Sequence, residues 1–494
     1  MKWSAAVAIA ALAGSSFAPS AGATSVARHT VPFRVPDQAL YARLKKEANQ
    51  RAHSTKAIAP VPSAPVTTVA KNGLNDPNWA PSDSNGAAGT GKYIEMVNNQ
   101  VGIFSTSLDL LSQITLGSFL GAGSDYVTDP DVYWDPGTKK FYYTAIHQHG
   151  TGSNYFLAFG FSKSANPTGS ASFCKYEASY GTDFPDYPKI GGTKNFGLIG
   201  TNNYTNDTTY HNSNVRWFTK PGAAALTTCP TVTTGLSGNL PFSTIPARQV
   251  DPSSTGYLLT ATWSGGTTLQ QRKVTKSSTG TPVFGSATSH SVTSYSVPAT
   301  APQPNGRSLD TLDNRLWQAI QATDPRLGST VLWTSHTVFG GPGAAVRWYE
   351  FKPGTSASAQ TGTVSSSSLY IFNGSISPDR VFRSSTVNAF GSNMVADFNT
   401  SSSAQAPTIG MVSKIGTNAQ SAITTVISGG SDIDFSCPNV GNTCRWGDYS
   451  SATPDPNAST TGTSGSVVMT SMYASGGTST SQSNWLTENW KATP

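Results

Sequence analysis

Four aspartates share one setting in this sequence: each lies in a turn-rich stretch that opens onto a β-prone run. They are Asp129 in Thr-Asp-Pro-Asp-Val, Asp186 in Pro-Asp-Tyr-Pro-Lys-Ile-Gly, Asp310 in Ser-Leu-Asp-Thr-Leu-Asp and Asp448 in Arg-Trp-Gly-Asp-Tyr-Ser. Two carboxyl groups facing one bond are the equipment of glycoside hydrolysis, one protonating the leaving oxygen and the other acting as nucleophile or base. His336 is the most singular basic candidate for proton transfer, with Arg315, Arg347 and Arg445 as groups to orient substrate. Tyr187, Trp446 and Tyr449 offer aromatic faces for the apolar C–H side of a sugar ring. Each residue also has a plainer role. A turn aspartate accepts backbone N–H bonds from the residues after it, Asp313 with Arg315 and Asp448 with Arg445 can close as ion pairs, and a histidine can serve a backbone carbonyl. Asp131 and Asp135 lie on one face of an extended run and are the sole candidates for Ca²⁺; otherwise no cofactor is expected. The G-x-S-x-G, H-E-x-x-H and P-loop patterns are absent.

Something must bring such distant positions together. From about residue 72 onward, short β-prone runs such as Tyr93-Ile-Glu-Met-Val and Phe141-Tyr-Tyr-Thr-Ala-Ile alternate with Gly, Pro, Asn, Asp and Ser clusters. No stretch there has convincing helical periodicity. Acid-containing openings recur at Asp83, Asp129, Asp186, Asp251, Asp310, Asp379 and Asp448, at intervals that fit one four-stranded blade with some loop excess. The reading is an all-β fold, a β-propeller of seven blades, with six as the alternative count and a pair of β-sandwiches as the alternative fold.

Composition agrees. Of 494 residues only 12% are charged, while Gly (47) and Pro (31) are plentiful and aromatics reach 10%. A coiled coil or helical bundle needs charged helix formers, and a disordered chain would lack the aromatics. The basic excess sits in residues 1–71, so the pI near 9.0 describes the N-terminal segment rather than the body. No nucleic-acid groove follows from it.

Lys2, an apolar run from Ala5 to Ala13 and the Ala21-Gly22-Ala23 site read as a cleavable signal peptide over residues 1–23. Residues 24–71 read as a basic arm, with a short helix that places Leu40, Leu44 and Ala48 on one face, then a Pro/Ala-rich linker. A pro-segment is the functional option for this arm and a loosely ordered tail the plainer one. The propeller is expected over residues 72–494, without a transmembrane segment. Four cysteines suit an oxidising compartment: Cys437 and Cys444 can close a local loop, leaving Cys174 with Cys229, although three pairings exist. A zinc site is disfavoured, since no C-x-x-C occurs and the histidines are scattered.

Several stretches, in order over roughly residues 80–455, resemble a large group of secreted, mostly uncharacterised bacterial proteins with a sialidase-like β-propeller fold. They are Pro81-Ser-Asp-Ser-Asn-Gly-Ala-Ala-Gly89 followed by Tyr93-Ile-Glu-Met-Val-Asn98, Asp129-Pro-Asp-Val-Tyr-Trp-Asp135, Asp186-Tyr-Pro-Lys-Ile-Gly191, Leu309-Asp-Thr-Leu-Asp-Asn-Arg-Leu316, Ser335-His-Thr-Val338 leading to Val346-Arg-Trp-Tyr-Glu350, and Arg445-Trp-Gly-Asp-Tyr-Ser450. The resemblance implies a propeller and secretion, and brings no settled activity. The Asp-box of true sialidases, Ser-x-Asp-x-Gly-x-Thr-Trp, is not present in clear form. The expectation is therefore a secreted or cell-surface monomer directed at extracellular polysaccharide or glycoconjugate. A glycoside hydrolase is the first reading and a non-catalytic carbohydrate-binding propeller the alternative.

Overall fold

The computed structural model describes residues 27–53 and 64–494; the signal peptide and most of the linker lie outside the described residues. The polar turn clusters end strands every few residues, and the described residues form seven sheets of four or five mainly antiparallel strands, besides a few smaller ones. The inner strands, in order, are Asn85–Ala88, Tyr126–Asp135, Asp183–Gly192, Ile245–Pro246, Gln318–Asp324, Tyr370–Pro378 and Ser451–Pro454. Arg248–Gln249 adds a short parallel strand inside the fifth sheet. Numbered by these strands, the sheets are blades 1 to 7 of a β-propeller.

Closure of the ring comes from the chain's own start. Val66–Asn72 pairs antiparallel with Trp485–Thr493 and is the outermost strand of blade 7. The propeller therefore begins before residue 72, the boundary expected from sequence. On the inside, Gly86 N donates to Ser451 Oγ at 2.7 Å, joining blades 1 and 7. Adjacent blades bury apolar faces against each other, as where Ile320, Trp333 and Trp348 of blade 5 meet Ile376, Met394 and Val412 of blade 6. Both expected disulfides form, Cys174–Cys229 and Cys437–Cys444. Among the described residues no helix is long and apolar enough to cross a membrane.

A repeated backbone device opens the blades. At or before each inner strand one residue takes a left-handed conformation: Asp83 (φ 46°), Asp129 (52°), Tyr187 (54°), Ser243 (54°), Leu312 (54°), Asn373 (57°) and Gly447 (111°). Such a φ is uncommon outside glycine, least so for Asp and Asn. At Leu312 the turn is held by Asp310 Oδ1, which accepts the Leu312 N–H at 3.0 Å. This corrects two of the openings expected from sequence. Asp251 and Asp379 lie beyond the far ends of inner strands. Asp251 pairs with Arg380 at 2.6 Å, and Asp379 accepts the Gly391 N–H. Ser243 and Asn373 hold those openings instead.

Candidate functional site

The left-handed residues gather at one mouth of the ring, and the acids of four blades come with them. Asp83, Asp129, Asp186 and Asp448 are 0%, 1%, 3% and 4% exposed. Asp83 Oδ1 accepts the Asp448 N–H at 2.6 Å, and its Oδ2 accepts from Asn98 Nδ2 at 2.7 Å. Asn98 also holds Asp129 in place, accepting its N–H at 3.0 Å. The Asp129 carboxylate receives Thr128 Oγ1 at 3.0 Å and the Tyr449 hydroxyl at 3.2 Å. Asp448 pairs with Arg445 at 2.8 Å, and the same guanidinium reaches Asp310 at 3.1 Å. Lys189 lies 3.3 Å from the Tyr449 ring centre and 4.3 Å from that of Tyr187.

Burial among like charges disfavours ionisation. Asp129 is pushed up to about 6, first by burial and then by the Asp448 charge. Asp186 rises to about 7 through burial, against the pull of Arg34. Asp83 goes well above its ordinary range through burial, with Asp448 and Asp129 adding to it. Burial lowers Lys189 to about 7. One buried cluster thus holds acids whose ionisation burial disfavours, beside Asp448, whose carboxylate is bound by an arginine.

The mouth is covered by the N-terminal arm. His29–Thr30 pairs parallel with Trp79–Ala80, and His29 stacks on Trp79. Arg34 crosses to Asp186 at 3.2 Å and also pairs with Asp207. Arg445 Nε donates to Val31 O at 2.9 Å and Arg315 donates to Arg34 O at 2.8 Å. Phe33 lies beneath both of those guanidinium groups. Helix α1, Gln38–Arg51, follows, its N-terminus capped by Asp37. Ala48 is buried as its spacing implies, while Leu40 and Leu44 are half-buried. Lys45 reaches inward to Thr311 Oγ1 at 2.7 Å and Pro298 O at 2.9 Å, and Tyr41 meets Asp310 at 3.4 Å. The arm is thus a fitted cover, not a loose tail. The groove left open beside α1 is lined by Tyr41, Lys45, Asp310 and Arg445.

Asp129, Asp186, Asp310, Asp448, Arg315, Arg445, Tyr187 and Tyr449 all meet around this mouth. Three other expected residues do not. His336 is on the second strand of blade 5, fully buried, with Nδ1 at 2.9 Å from Asn314 O and Nε2 at 3.0 Å from the Tyr349 hydroxyl. Burial lowers it to about 4, a structural histidine with no proton to give at neutral pH. Arg347 ties blade 5 to blade 4 by donating to Thr293 O and Ser294 O. Trp446 is core, its Nε1 donating to Asn399 Oδ1 at 2.9 Å. The Ca²⁺ expectation also fails on chemistry: Asp131 faces Arg248 at 2.5 Å and Asp135 faces Lys220, cations where an ion would need oxygen.

The sequence matches no family model and no curated protein. Among solved structures, an ACO/RPE65 chimera is similar at 10% identity over 74% of each chain, with a TM-score of 0.38. An exo-β-1,3-galactanase from Phanerochaete chrysosporium, with galactose, is similar at 10% identity over 83% of this chain and 95% of that one, with a TM-score of 0.27. The site stands on its own geometry.

That geometry includes residues sequence reasoning left out. Asp83 was visible as an opening, and Asn98 and Lys189 lay within the resembling stretches, but none of the three stood out as a site residue; Arg34 carried no motif. Arg315 was expected to bind substrate, but it is buried and forked onto Asp313 at 3.0 and 3.1 Å. Removing one partner of a buried pair strands the other charge, so Arg315→Ala is expected to cost about 3–5 kcal/mol in urea denaturation. A loss below about 1 kcal/mol would contradict a structural role of that size.

The raised acids set a pH trend. Asp129, Asp186, Glu95, Glu488 and Glu350 are raised to about 6, 7, 7, 7 and 8, chiefly by burial. Each contributes stability that is present below its unfolded value and lost as pH rises through the folded one. His29, His290 and His336, all lowered by burial, oppose this between their lowered values and the ordinary one, but Asp83, Asp379, Asp397, Asp432 and Asp434 are raised by burial as well and the acids outweigh them. The melting temperature is expected to fall from pH 5 to pH 7; a rise across that window would contradict the burial of these acids.

Proposed function

We propose that the protein is a secreted glycoside hydrolase in a latent form, with its catalytic carboxyls at the covered mouth. Asp129 is the general acid, since it keeps its proton to about pH 6. Asp448, paired with Arg445, is the partner that acts as base or nucleophile. Asp186 and Asp83 tune the pair, and Tyr187 and Tyr449 form its apolar wall. The observation that carries this reading is the buried hydrogen-bonded cluster that joins the two acids: Asn98 holds the Asp129 N–H and the Asp83 carboxylate, and Asp83 accepts the Asp448 N–H, which sets a pair of carboxyls at one mouth as glycoside hydrolysis requires. Two disulfides suit the oxidising compartment that a leader at residues 1–23 would deliver it to.

A second reading has its own observation: the mouth acids all find donors within the fold, which suits a non-catalytic glycan-binding module. A polysaccharide array, read for both retention and released sugar before and after removal of the arm, separates the two. Release after removal supports hydrolysis. Retention alone supports binding, and neither outcome on any glycan overturns both.

A further inference from the structure

A second polar cluster on blade 2 takes no part in the mouth chemistry. His147 is near the end of the strand Lys140–Gln148 and His149 follows just beyond it. The two-residue period of extended chain sends both rings to one side, with centroids 4.1 Å apart. Phe156 packs on His149 at 4.2 Å and fixes its ring. Asp125, the residue before the inner strand, brings Oδ2 to 3.1 Å from His147 Nε2, while its Oδ1 accepts the Gly150 N–H at 3.1 Å. Glu177, from the outer strand of the same blade, bridges the two rings. Its Oε1 is 2.5 Å from His147 Nδ1 and its Oε2 is 2.9 Å from His149 Nε2.

We propose that Asp125, His147 and His149 form a binding site for a divalent transition-metal ion, Zn²⁺ in the first place, with Glu177 orienting the histidines. One ligand atom from each of the three lies within 4.8 Å of the others. The edge of a tetrahedral Zn²⁺ site is roughly 3.3 Å, so the ligand atoms would draw together by about 1.5 Å at most on binding. Two imidazoles and a carboxylate suit Zn²⁺ and its neighbours, whereas Ca²⁺ and Mg²⁺ prefer oxygen throughout. A carboxylate on the far nitrogen of a ligating histidine is the usual arrangement for fixing its tautomer, and Glu177 stands there for His147. The side chains of Asp125 and His149 are 27% and 38% exposed, which gives an ion a route in and leaves a fourth position to water. The ion would tie the start of the inner strand that bears Asp129 to the hairpin after the second strand.

The test uses tag-free full-length protein, stripped with chelator, dialysed and titrated with ZnCl₂ by calorimetry. One Zn²⁺ per chain is expected, with a dissociation constant of about 1–10 μM or tighter, together with a higher melting temperature. His149→Ala, at a partly exposed position, should keep the fold by circular dichroism and lose at least about tenfold in affinity, as should Glu177→Gln. No binding tighter than about 100 μM, or equal binding by the wild type and His149→Ala, overturns the site and leaves a cluster of histidine–carboxylate ion pairs.

Discussion

Cutting the chain after folding, at a protease site placed within residues 54–63, is expected to raise glycan hydrolysis by about 10²–10³-fold. The argument is one of effective concentration. While tethered, the arm faces the mouth at millimolar effective concentration. Once cut, at micromolar protein, it competes about a thousandfold less well, and its hold no longer benefits from the chain. What it must surrender is substantial but polar: Arg34 on Asp186, Lys45 on Thr311, and the backbone oxygens of Val31 and Arg34 on Arg445 and Arg315. Loss of Arg34 removes the cation that lowers Asp186, while opening the mouth to water relieves the burial that raises it. Release of reducing sugar before and after the cut, with gel filtration to show departure of the arm, checks this. Departure without any gain on substrates across the array would contradict latency.

Asp129→Asn is expected to lower kcat of the uncovered protein by about 10²–10⁴-fold, the usual share of general acid–base catalysis. The substitution is unusually clean here. Asn has the shape of the protonated acid, which Asp129 already is over much of the pH range below 6. It also tolerates the left-handed backbone at this position (φ 52°) better than other side chains would. Stability should therefore change by less than about 1 kcal/mol, and a lost rate cannot be assigned to unfolding. An unchanged kcat would make Asp129 a structural acid.

Much of this was legible because of that same backbone. Left-handed turns tolerate Asp and Asn, so the openings at Asp83 and Asp129 left an acidic mark, and Asp310 left another by accepting the N–H of the left-handed Leu312; together they could be read as a repeat. Ser243 and Leu312 hold the same φ without a distinctive side chain. Asp251 and Asp379 left acidic marks at the wrong end of their strands, where they bind Arg380 and turn N–H groups. Alternation along a strand tells which side chains share a face, but not whether a position lies near the mouth. His336 and Arg347 were therefore placed there in error, although both are opposite each other in blade 5. Trp446 follows Arg445 directly, yet the chain turns it into the core against Phe372. The arm was the largest gap. Its helix was readable from spacing, but its docking depends on single long-range contacts such as Arg34 to Asp186, and composition does not encode those.

Asp129 and Asp448, from blades far apart in sequence, belong to one buried cluster, so the charge of Asp448 raises Asp129 beyond what burial does. Titration of the Asp129 carboxyl by ¹³C NMR on aspartate-labelled protein, assigned by its loss in Asp129→Asn, measures that directly. The expected result is a midpoint near 6 in the wild type that falls when Asp448→Asn removes the neighbouring charge. A midpoint in the ordinary carboxylate range, or one that does not move in the variant, would contradict the shared site.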